Sequence, residues 1–60
     1  MIECKIIKTE LMNTKTYKGI IHIFKDGIII NSVESVYHRF TRQKALQDAR
    51  RLKQKYMKEE

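Results

Sequence analysis

Metal and acid–base chemistry would have to come from very few side chains. Cys4, His22 and His38 are the soft or imidazole ligands of this 60-residue chain. A structural zinc site wants four such ligands, usually in closely spaced pairs, and these three are scattered and unpaired. Nucleophilic catalysis wants a nucleophile, a base and an orienting third group around a pocket, and a phosphate cradle wants a glycine-rich loop. With two glycines in the whole chain, neither constellation can be assembled on paper. The residues point away from an enzyme, and no cofactor or metal is implied. Cys4 reads as a small hydrophobe in a strand. As the single cysteine it rules out an internal disulfide and fits a reducing cytoplasm.

Positive charge is what the chain has in quantity: 13 Lys and Arg against 7 Asp and Glu, a net +6. The cations of the first forty residues are largely offset by Glu3, Glu10, Asp26 and Glu34. Residues 41 to 60 instead carry Arg42, Lys44, Arg50, Arg51, Lys53, Lys55 and Lys58 against Asp48, Glu59 and Glu60. Arg51, Lys55 and Lys58 follow one another at helical spacing, flanked by Lys44, Gln47 and Gln54. Such a strip neutralises phosphates, the sequence-independent and salt-sensitive part of nucleic-acid binding. The same spacing also describes the solvated side of an amphipathic helix, where late cations suit the helix dipole. Between sheet and helix, Tyr37 is followed by His38 and Arg39. That cluster either stacks on a base and grips a phosphate, or packs Tyr37 under the helix and leaves Arg39 wet.

A chain this short makes one small domain, residues 1 to 60, with a thin core. Hydrophobic residues at 42% make it too apolar for disorder, while no apolar run approaches membrane-spanning length. Met1 to Cys4 lacks the charged-then-greasy order of a signal peptide. Ile2, Cys4 and Ile6 alternate with Glu3 and Lys5, the period of a half-buried strand. Asn13 to Thr16 is polar and turn-prone, and marks the following loop. A second strand from Tyr17 to Lys25 meets Asp26-Gly27, the dipeptide of a tight hairpin, and a third runs on from Ile28. Thr41 then caps a helix, with Phe40 and Ala45 at the places of a hydrophobic staple. Ala45, Ala49, Leu52 and Tyr56, with Leu46 beside them, form its apolar stripe. The expected fold is α+β: three antiparallel strands packed on one C-terminal helix.

The hairpin register decides which side chains meet the helix. The preferred two-residue turn pairs Lys25 with Ile28 and places Ile21, Ile23, Ile28 and Ile30 on one face. Its other face holds Lys18, Ile20, His22, Phe24, Ile29, Asn31 and Val33, with His22 directly opposite Asn31. A three-residue turn would instead set Ile28 and Ile30 beside Ile20, His22 and Phe24. One short helix covers one face, so the second is free for a partner. Strands laid in a major groove can read base edges with Asn and Lys, which makes Lys18, His22 and Asn31 candidate readers. An exposed apolar patch more often meets protein, which makes Ile20, Phe24, Ile29 and Val33 a candidate interface with a protein partner or a second copy.

The order of hairpin, short extended stretch and then Phe40-Thr41-Arg42-x-x-Ala45-x-x-x-Ala49 resembles the arm-type DNA-binding domains of phage and transposon tyrosine integrases. The likeness runs from residue 17 to 56. It implies a three-stranded sheet backed by a helix, with the sheet entering the major groove. By that resemblance His22 and Asn31 contact bases, while Lys18, Lys25 and Arg39 contact the backbone. The expectation is a small non-enzymatic DNA-binding module, of the kind a phage or mobile element uses as an accessory protein. The alternative is an inhibitor or adaptor that docks through the second face of its hairpin.

Overall fold

Two tight turns, each with both central residues in the left-handed region, fold the first half of the chain into one sheet. The computed structural model describes residues 1–58, with side chains through Met57. Asp26 and Gly27, at φ 54 and 79, make the expected hairpin turn. The first turn is Met12-Asn13, at φ 50 and 64, rather than a loop over residues 13 to 16. Asn tolerates that region, whereas Thr14 and Thr16 are β-branched and already belong to the next strand. The elements are β1 (Ile2–Leu11), β2 (Thr14–Lys25), β3 (Ile28–Glu34) and α1 (Arg42–Lys58). The strands lie antiparallel in the order β1-β2-β3. This is the α+β arrangement of three strands and a C-terminal helix expected from the sequence.

The register between β2 and β3 begins as the two-residue turn requires, with Lys25 opposite Ile28 and Phe24 opposite Ile29. A β-bulge then leaves Ile30 extra, so Ile23 faces Asn31, His22 faces Ser32 and Ile21 faces Val33. One inserted residue moves the rest of a strand to the other face. Asn31 and Val33 therefore join Ile21 and Ile23 on the helix side. Asn31 folds onto its own backbone, its Oδ1 accepting from the Ser32 amide at 2.9 Å. Neither register weighed from the sequence contained this shift.

α1 lies across β2 and β1 and leaves β3 largely uncovered. Its approach is set by Gly19. A Cβ there would stand against the carbonyl oxygen of Ala45, 2.6 Å from the amide nitrogen of Ala49. The helix backbone thus rests almost on the strand, and Ala45, Ala49 and Ile21 are fully buried at the crossing. Leu46, Leu52 and Tyr56 are half-buried around it, as are Ile2, Cys4 and Ile6 of β1. Ile28, Ile29 and Ile30, beyond the helix, remain 51–67% exposed. The staple expected at the helix start does not form. Phe40 is 73% exposed, because Ala45 is occupied against Gly19. Thr41 does cap: its Oγ1 accepts from the Lys44 amide at 3.3 Å.

After β3 the chain stays extended along the same edge of β2. The Ser35 amide donates to Gly19 at 2.8 Å, and Tyr17 and Arg39 exchange amide-to-carbonyl bonds at 2.7 and 2.8 Å. The segment from Ser35 to Phe40 is therefore bolted to the sheet before it turns into α1. Among the described residues, no helix is long and apolar enough to cross a membrane.

Candidate nucleic-acid interface

Most of the cations fall in three places, and only one of these is strongly charged. On the face of the sheet away from α1, Glu3 pairs across β2 with His22 and then Ser32, and Lys5 pairs with Ile20 and then Glu34. Ile7 stands beside Lys18, and Phe24 beside Ile29. Two lysines there are met by two glutamates, so this face is mixed and near neutral. Ile20, Phe24 and Ile29 do share it, but Val33 lies on the opposite side. His22 Nδ1 is 2.8 Å from Ser32 Oγ, so the expected His22–Asn31 pair is replaced by a His22–Ser32 one. One end of the same face is closed by the chain itself. His38 Nδ1 lies 3.1 Å from the Thr9 hydroxyl and 3.0 Å from that of Thr16, which is buried beneath it.

The second place is the junction. Arg39 does not stay wet. Its Nε donates to Asp48 Oδ2 at 2.7 Å and its Nη2 to Oδ1 at 3.2 Å, the one ion pair among the described residues. The hydrogen bond that Arg39 donates to Asp48 pushes its pKa further up, against some desolvation. Arg39 is thus engaged in an ion pair within the chain, with a third of its side chain still exposed. Its guanidinium also sits over the Tyr37 ring, 4.8 Å from the centroid. Tyr37 itself is 57% exposed, so it does not pack under the helix.

The third place is α1. Asp48 is its only acidic residue through Lys58, and it is buried and held by Arg39. Lys44, Arg51 and Lys55 recur seven and then four residues apart, which places them on one flank of the helix. All three are exposed; Lys44 and Arg51 line a depression together with Arg39, Gln47 and Asp48. Arg50 and Lys53 sit on the opposite flank, over the start of β1. Arg42 approaches the ring of Tyr17, 5.6 Å from its centroid. Lys58 lies outside the residues whose side chains are described. Lys25 stands apart at the hairpin tip.

Of the residues singled out from the sequence, Arg51 and Lys55 therefore come together, and Lys44 joins them. Lys18 and His22 share the far face, while Asn31, Arg39 and Lys25 do not converge with them. The Arg39–Asp48 pair was not foreseen. Its signal is a lone acid next to Ala49 on the apolar side of a cationic helix, where an unpaired carboxylate would not be tolerated. No protein family, no curated protein and no solved structure matches the chain.

Proposed function

We propose that the chain is a small non-enzymatic nucleic-acid-binding module that holds phosphates along the exposed flank of α1. The single observation that carries this reading is the division of charge on the helix. Lys44, Arg51 and Lys55 face solvent on one flank, while Asp48 is buried and neutralised by Arg39. A cationic flank whose own acid is ion-paired keeps a net positive field, which suits a polyanion. The sheet face expected to read bases is less suited to the task, because Glu3 and Glu34 offset Lys5 and Lys18. The role as a DNA-binding accessory protein of a phage or mobile element, working in the cytoplasm, rests on the integrase arm-domain likeness and belongs to the same proposal.

Salt dependence tests it. Three phosphate contacts give a slope of log affinity against log salt of about −2 on single strands and about −3 on duplex. Between about 50 and 200 mM salt the affinity then falls roughly 20- to 40-fold. Arg51→Gln shallows the slope by about one contact's worth, roughly 0.7–0.9. An affinity that hardly moves with salt removes the phosphate grip.

A second reading is supported by one observation, the exposed and uncharged run Ile28–Ile30 on the open edge of β3. Edge strands are usually blunted by charge or cover, and this one has neither from Ile28 to Val33. Its occupant is a second copy of the chain, pairing edge to edge. Such a dimer leaves both basic helices free.

A further inference from the structure

We infer that single-stranded nucleic acid occupies the groove between residues 34–37 and α1, with Tyr37 as the platform on which a base stacks. The inference rests on the phosphate-holding role proposed for α1 and names its substrate class. The groove holds about 320 Å³, with Ser35, Val36 and Tyr37 on one wall and Arg51, Leu52, Lys55 and the ion-paired Asp48 on the other. It therefore sets an aromatic wall against a cationic one, the pairing that single-strand binders use.

Tyr37 is an aromatic ring kept in water, yet it is braced. Its amide donates to Ser35 Oγ at 3.2 Å, and the buried Ser35 is itself tied to Gly19 through the sheet edge. Arg39 lies over the ring and is in turn fixed by Asp48. A ring placed in advance loses little side-chain freedom when a base stacks on its exposed surface. Arg51 and Lys55 stand one turn apart, a rise of about 6 Å, along the wall opposite the ring. Backbone phosphates can track that wall while a base turns across the groove. Glu34, at the end of β3, closes the strand end of the groove. A duplex does not satisfy this geometry, because its base faces are already covered by stacking.

The experiment uses the whole chain. The sequence contains no tryptophan, so Tyr37→Trp places a single reporter at the platform. It is titrated with oligo-dT and oligo-rU of about 16 nucleotides and with a duplex of equal length. Both single strands should quench the tryptophan, and a difference between them separates DNA from RNA. Tyr37→Ala should weaken single-strand binding about 5- to 150-fold while leaving the salt slope unchanged, and Tyr37→Phe should restore it. Circular dichroism checks that the alanine variant stays folded; should it unfold, quenching in Tyr37→Trp decides alone. Salt-dependent binding with no quenching, an unaffected Tyr37→Ala, or tighter binding of the duplex overturns the inference and leaves the phosphate grip of α1 standing. Binding to none of the three probes overturns both.

Discussion

Adding one methyl group at Gly19 should damage this molecule more than any other single-carbon change. The new Cβ of Gly19→Ala meets the Ala45 carbonyl oxygen, lies 2.6 Å from the Ala49 nitrogen and 3.0 Å from the Ala49 Cβ. Two of these are helix backbone atoms, which cannot swing aside as a side chain can. Carbon contacts relax near 3.5–4 Å, so α1 must rise by about 1 Å along its middle. That lift loosens the packing over Ile21, the largest side chain that is fully buried. Overpacking of this kind costs about 1–3 kcal/mol, and the reduced entropy of the unfolded chain returns less than about 1. A net loss near 2 kcal/mol is a large part of the roughly 3–9 kcal/mol expected for 60 residues. In thermal unfolding the midpoint should fall by roughly 8–16 °C. Gly27→Ala is the control: nothing lies within 4 Å of its added carbon, so its cost comes from the positive φ alone. If Gly19→Ala unfolds within about 0.5 kcal/mol of the native chain, α1 does not rest on β2 as described. The placement of Arg51 and Lys55 against the junction then falls with it.

Met12 at φ 50 occupies a region that costs a non-glycine residue about 1–2 kcal/mol, and its side chain is exposed. Met12→Asn should therefore stabilise the chain by about 1 kcal/mol, read as a higher urea midpoint with an unchanged slope; a lower midpoint refutes the turn. Ile29→Lys should abolish self-association in sedimentation velocity while preserving the circular dichroism spectrum, since charge on an edge opposes strand pairing. A native chain that sediments as a monomer at every concentration removes the second-copy reading.

What could be read in advance was local. The Asp26-Gly27 turn, the Thr41 cap and the Ala45–Ala49 stripe each depend on residues within four positions of one another, where turn and helix geometry leaves few choices. The bulge at Ile30 depends instead on a balance across the hairpin. Strict alternation would have put Ile30 opposite Ile23; the bulge frees it, exposes it and carries Val33 back over the core. Hydrophobic patterning cannot distinguish these outcomes, because Ile28, Ile29 and Ile30 are identical in sequence. Gly19 did carry a signal. A lone glycine within a strand marks a close approach of another backbone, and an Ala-x-x-x-Ala helix is the partner able to make one.

The Arg39–Asp48 pair connects the fold to the proposed site. Arg39 belongs to the segment bonded to Tyr17 on the sheet edge, and Asp48 to the middle of the helix. Their fork fixes the distance between Tyr37, on which Arg39 lies, and Arg51, which is three residues beyond Asp48. It also removes from the helix the one carboxylate that would weaken its field. One part-buried contact thus serves two ends, alignment of the aromatic wall with the cationic wall and neutralisation of negative charge. A substitution that keeps the shape but not the charge, such as Asp48→Asn, would separate those ends, since the amide can still receive one bond from Arg39 while the helix field grows. The groove persists in such a molecule only if the hydrogen bond holds it, and widens if the ion pair does.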